Sequence, residues 1–163
     1  MMKLLMDDND AFLNWVRLCD IDSNHSVNLQ KHRINIADPL YYASLAGLTE
    51  VSHALLEMGA DINAFGGKYG NALQAASYRG HEATAKLVVE RGADVNAQGG
   101  KYGNALQAAL YMGHKVIAAL LVEKGANINA QGGEYGNALQ AALFEGHDVT
   151  AALLIEKGAD VNS

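Results

Sequence analysis

The chain has 163 residues, half of them hydrophobic, which is ample for a packed core, and a net charge of −6 with no run of Lys or Arg beyond two residues. That balance offers no basic stripe for neutralising phosphates, so it argues against nucleic acid as a partner. Cys19 is the only cysteine, which rules out an intramolecular disulfide and fits a reducing, cytoplasmic setting, and the apolar stretch Val116 to Val122 is too short to span a bilayer.

The opening MMKLLMDDND meets acids at Asp7, too early for the uncharged run of a secretory signal. The doubled Met1-Met2 fits a cloning scar, and a larger parent chain stays open. Asn9 or Asp10 can cap a helix through Ala11, Phe12, Leu13, Trp15, Val16 and Leu18, followed by a polar, irregular stretch from Asp20 to Ala37. Residues 1–37 therefore read as a helical cap and connector covering the first unit of whatever follows. The rival reading is an amphipathic helix that binds a partner.

From residue 64 one segment is written three times at a spacing of 33 residues: 64–96, 97–129 and 130–162. The copies share GGxYGNALQAA, a Gly-His step and a closing G-A-x-x-N. A period of this length marks a stack of supersecondary units, each too small to bury its apolar face alone. A looser first unit occupies residues 38–63.

Within the third unit, Asn104 is suited to cap a helix through Ala105, Leu106, Gln107, Ala108, Ala109, Leu110 and Tyr111, and Gly113 can stop it. A second helix is expected from about Lys115 to Lys124, with Ile117, Ala118, Leu121 and Val122 on one face and Gly125 at its end. Gly99-Gly100 and Gly103 bracket Lys101-Tyr102 in a projecting loop or short hairpin. Each unit is thus helix, tight turn, helix, finger loop.

This pattern resembles the ankyrin repeat, G-x-T-P-L-H-x-A-A-x-x-G-H followed by L-L-x-x-G-A-D-V-N-A. Asp38-Pro39-Leu40-Tyr41-Tyr42-Ala43 is similar to T-P-L-H-x-A, and the same slots hold Asn-Ala-Leu-Gln-Ala-Ala from Asn71, Asn104 and Asn137. Gly-His recurs at Gly80-His81, Gly113-His114 and Gly146-His147, with Gly47-Leu48 in the first unit. The closing theme starts at Gly59, Gly92, Gly125 and Gly158. The resemblance implies an all-α solenoid of four helix-turn-helix repeats, in which the family's hydroxyl–imidazole bond becomes an Asn–Gln contact. FLNWVRLCDID ahead of LYYASLAGL, with the GGxYGNALQAA units, is also similar to the ankyrin regions of fungal NACHT-type (NLR-like) receptors. That likeness implies a sensing segment of a longer parent chain.

Little in the chain suggests catalysis or metal chemistry. Gly66-Gly67-Lys68 lacks the Ser or Thr of a phosphate loop, and Glu134 replaces the lysine in the third copy. His81, His114 and His147 recur once per unit and should stand about 10 Å apart, as packed helices do. That is too far for a shared zinc, so each is expected to bond backbone at the turn between helices. No nucleophile, base and orienting acid form a constellation. The chain reads as a non-enzyme with no cofactor and no metal.

The last two copies differ at eight positions, among them Lys101 to Glu134, Tyr111 to Phe144 and Met112 to Glu145. In the geometry that the resemblance implies, these slots line a concave groove. Its expected partner-binding residues are Lys68, Tyr78 and Arg79, then Lys101, Tyr111 and Met112, then Glu134, Phe144 and Glu145. An aromatic recurs in each unit while charge runs from basic to acidic, as suits a protein partner. The rings are expected to supply contact area, with part of each packing on the next repeat, and Tyr111 and Lys101 are expected to lie outside the framework. The alternatives are a regulatory segment packing on its own parent chain, and an array that is monomeric or self-associates weakly through its C-terminal end.

Overall fold

A computed structural model describes residues 38–161, and among them it contains only helices, turns and one isolated bridge. The expected cap over residues 1–37 lies outside the described residues. Four helix pairs follow in order: α1 (Pro39–Leu45) with α2 (Thr49–Glu57), α3 (Ala72–Arg79) with α4 (Glu82–Glu90), α5 (Ala105–Tyr111) with α6 (Lys115–Glu123), and α7 (Ala138–Phe144) with α8 (Asp148–Glu156). No helix among the described residues is long and apolar enough to cross a membrane.

The inner helices are short, and their first turns are held by side chains. Asn71, Asn104 and Asn137 sit in extended backbone and accept from the amides of Gln74, Gln107 and Gln140 at 2.9, 2.9 and 2.8 Å. In α3 the glutamine reciprocates, its Oε1 accepting from the Asn71 amide at 2.8 Å. The Asn–Gln contact expected in place of a hydroxyl–imidazole bond is present. Gln74 and Gln107 go further: Nε2 of Gln74 donates to the Ala97 carbonyl at 3.1 Å and that of Gln107 to the Ala130 carbonyl at 3.1 Å. The Gln74 side chain therefore both caps its own helix and ties down the next finger loop, while that of Gln107 makes only the tie to the loop.

The inner row is close-packed because its facing residues are small. Ala75, Ala76, Ala108, Ala109, Ala141 and Ala142 are fully buried, and neighbouring inner helices touch more extensively than neighbouring outer ones. Larger side chains fill the space between the two rows: Leu73, Val88, Leu106, Ile117, Leu121, Leu139 and Leu154 form one continuous core through the units. Val122, expected on the buried face of its helix, is only partly buried against that core.

Three sets of hydrogen bonds run along the stack, each joining a unit to its predecessor. The histidines supply the first: Nε2 of His81, His114 and His147 lies 3.1, 3.2 and 3.2 Å from the carbonyl oxygens of Leu45, Tyr78 and Tyr111. A carbonyl can only accept, so each ring carries its proton on Nε2. Backbone bonding by these histidines was expected, but the acceptor belongs to the preceding unit rather than to the local turn. The second set lies beyond the outer helices, where Asn63, Asn96 and Asn129 accept from the amides of Asp94, Asn127 and Asp160 at 2.9, 2.7 and 2.8 Å. The third joins the finger loops, with the Lys101 amide donating to the Lys68 carbonyl and the Glu134 amide to the Lys101 carbonyl, both at 3.0 Å.

A candidate protein-binding groove

The finger loops and the C-terminal ends of the inner helices form one face. Each finger is pinched by a bond across its base, as in Gly66 to Gly70 at 2.9 Å and Gly132 to Gly136 at 2.7 Å. The pinch leaves one tyrosine per finger, Tyr69, Tyr102 and Tyr135, aimed back at the inner helices. These rings alternate with Tyr78, Tyr111 and Phe144. Successive centroids from Tyr69 to Phe144 are 4.0, 5.2, 4.8, 4.6 and 4.8 Å apart, so six rings form one column.

Burial divides the column. Tyr69 and Tyr102 are almost fully buried, Tyr78, Tyr111 and Tyr135 are half-buried, and Phe144 is 68% exposed. Tyr78 and Tyr111 thus pack on neighbouring rings and also reach the surface, as expected of rings that lie partly against the next unit; Tyr111, expected outside the framework, is half-buried in the column. Burial, with the hydrogen-bonded Tyr78 hydroxyl beside it, pushes the Tyr102 phenol well above its ordinary range. Hydrogen bonds with Tyr135 and Glu145 do the same for Tyr111.

The expected charged residues flank this column. Lys68 and Arg79 are exposed, and their cationic groups lie 5.5 Å from the Tyr69 ring centre and 5.7 Å from that of Tyr78. Lys101 is half-buried, 5.2 Å from the Tyr102 ring centre and 3.2 Å from a carboxylate oxygen of Glu134. Those two opposite charges satisfy each other, so the polarity of the face resides at its ends: Lys68 and Arg79 at one, Glu145 at the other. Met112 is exposed beside Tyr111. Eight of the nine residues expected in the groove are rings of this column or lie against its rings and charges, and the ninth, Met112, follows Tyr111 in the chain. The finger tyrosines that complete the column were missed, although their recurrence at the 33-residue period was the signal.

Among the described residues no group of three His, Cys, Asp or Glu side chains is placed to hold a metal ion. His81, His114 and His147 are engaged with backbone carbonyls of the stack, and the face offers rings, charges and loop backbone.

Comparison with known proteins agrees with this geometry. A 92-residue stretch is 39% identical to the azaphilone pigments biosynthesis cluster protein L of Monascus ruber, covering 50% of this chain and 20% of that protein. The chain thus spans about a fifth of the length of this curated relative. The family described as ankyrin repeats (3 copies) matches residues 3–99 and 98–163. Proteins built on this repeat are generally interaction modules rather than enzymes. With nearly the whole sequence matched and four stacked helix pairs described, the chain belongs to the ankyrin-repeat family.

Proposed function

We propose that this array is a non-catalytic recognition module that binds a protein segment along its ringed face. The observation carrying this reading is the column of six aromatic rings, half-exposed over much of its length and flanked by cations at one end and Glu145 at the other. Aromatic surface gives contact area at little conformational cost, and the end charges select direction. The partner segment is acidic where it meets Lys68 and Arg79 and basic near Glu145. The lone Cys19 supports a cytoplasmic setting.

The test is selection of displayed peptides on the intact chain, followed by binding to Arg79→Glu, Phe144→Ala and, on the outer helix α8, Val149→Ser. Selected peptides with the stated charge order should lose affinity for the first two variants and keep it for the third. Peptides indifferent to Arg79 and Phe144 would move the site elsewhere. A second reading, a sensing segment packing on its own NACHT-type parent, is supported by the sequence likeness of residues 12–22 and of the GGxYGNALQAA units. In that reading the partner segment is carried by the parent itself.

A further inference from the structure

The described histidines are of two kinds, set by the direction of their hydrogen bonds. His81, His114 and His147 donate from Nε2 to a carbonyl, and that donation survives protonation of the other ring nitrogen. His53, half-buried on α2, does the reverse. Its Nε2 lies 2.7 Å from one Nη of Arg91, the residue that follows α4 in the second unit. The other Nη of that guanidinium is 2.7 Å from a carboxylate oxygen of Glu57. A guanidinium has donors only, so His53 accepts: its ring is neutral and its proton sits on Nδ1. Arg91 thus ties two residues of α2, one turn apart, to the second unit.

This joint differs from the later ones. The slot of His53 holds Lys86, Ala119 and Ala152, and that of Arg91 holds Lys124 and Lys157. Besides Arg91 at its end, α4 brings Glu82, Lys86 and Glu90, and the last two lie 3.9 Å apart on their own helix. The other helix packed on α2 is α1, which carries Tyr41 and Tyr42 and no charged side chain, while α2 itself adds Glu50. A protonated His53 therefore faces Arg91 across the joint and Glu57 along its helix. Both of its ring nitrogens are then donors, so it cannot accept from the first and is attracted to the second.

We propose that the joint between the first two units is an acid-sensitive switch: protonation of His53 turns it from Arg91 to Glu57 and exchanges a bond between units for one within α2. The proton enters at Nε2, the position that Arg91 occupies in the neutral state. The consequence reaches the first finger, because α1 lies beneath it. The Tyr41 hydroxyl is 3.3 Å from the Tyr69 amide, and a Cβ at Gly67 would run into the Tyr41 ring. Loosening the first unit in mild acid, where imidazoles gain charge, therefore unseats the finger that carries Lys68. The histidine bonds of the later joints donate in either charge state and stay closed. The switch is independent of what binds the ringed face.

Long-range proton–nitrogen correlation spectra of the full chain at neutral pH should place the His53 proton on Nδ1 and those of His81, His114 and His147 on Nε2. A proton on Nε2 of His53 would overturn the proposal. Native-state hydrogen exchange, corrected for the intrinsic effect of pH, is then compared at about pH 7.5 and about pH 5.5, either side of the imidazole range. Protection of residues 39–57 relative to residues 105–123 should fall about fivefold in acid, as one hydrogen bond from a charged donor is lost. His53→Gln, whose amide oxygen accepts from Arg91 at either pH, should abolish that fall. His53→Lys, charged throughout, should show the lowered protection at both. An equal fall in the parent and His53→Gln, or no fall in the parent, would overturn the switch.

Discussion

His114 and Gly80 share one volume: the imidazole lies where a side chain at Gly80 would have to go, and its Nε2 donates to the Tyr78 carbonyl at 3.2 Å. The Gly-His step is therefore a contact between units as well as a turn within one. The glycine does two jobs, taking φ 76° and leaving room for the ring. Gly125 takes φ 87° with nothing near its would-be Cβ. Gly125→Ala should cost about 1 kcal/mol, the strain alone, and Gly80→Ala at least about 1 kcal/mol more. Urea denaturation of the two variants measures the difference. Equal losses would mean that the histidine is not seated there.

The aromatic column divides framework from surface within one motif. Tyr102→Ala removes a nearly buried ring and should destabilise by about 3–5 kcal/mol, much like other large aromatic truncations. Phe144→Ala, at the exposed end, should stay within about 0.5 kcal/mol. Leu106→Ala, in the centre of the core, should cost about 2–5 kcal/mol. Chemical denaturation midpoints with unchanged m-values would report these losses cleanly.

Lys101 and Glu134 form a partly exposed ion pair. Such pairs are worth about 0–1 kcal/mol and are screened by salt. Lys101→Ala should accordingly lower stability by less than about 1 kcal/mol, with the loss shrinking in high salt. Denaturation at two ionic strengths checks it, and a large loss that ignores salt would assign the lysine's role to packing on Tyr102.

Alkaline pH should unfold this chain in a defined way. Tyr102 and Tyr111 hold their protons in the fold above the ordinary phenol value of 10.0, while the unfolded chain releases them near that value. The folded state then binds more protons than the unfolded state, so stability is full below about pH 10 and falls as pH rises beyond it. Replacing both residues by phenylalanine should flatten that fall while keeping the rings stacked. Phenolate absorbance followed beside circular dichroism tests it: titration of both tyrosines before unfolding would refute the coupling.

Much of this architecture was readable because repetition multiplies weak signals. A single Asn before Ala-Leu-Gln is a modest cap signal, but three at a fixed spacing place Asn71, Asn104 and Asn137 at helix starts, and each does cap its helix. The ring column was readable at its helical positions, Tyr78, Tyr111 and Phe144, and not at its finger tyrosines. Within Gly-Gly-x-Tyr-Gly the glycines signal a turn, and turn residues ordinarily face solvent. Tyr69 and Tyr102 are instead buried because the finger folds back over the inner helices, a relationship between loop and helix that spacing along the chain does not encode. The first unit shows the same limit. Tyr41 stands in the slot of Gln74 and performs its outward reach differently, its hydroxyl accepting from the Tyr69 amide at 3.3 Å.

Because the histidine bonds run one unit back and the finger and asparagine bonds also join neighbours alone, a whole unit can be removed without stranding its neighbours. Deleting residues 97–129 would set His147 against the Tyr78 carbonyl and the space above Gly80, the Glu134 amide against the Lys68 carbonyl, and the Asp160 amide against the Asn96 side chain. Each lost partner is replaced by one of the same kind, so the shortened chain should keep its helical circular dichroism. Unequal crossing-over between near-identical copies therefore yields arrays of different length that need no new interface, and the number of units in such a gene can drift while the joints stay the same.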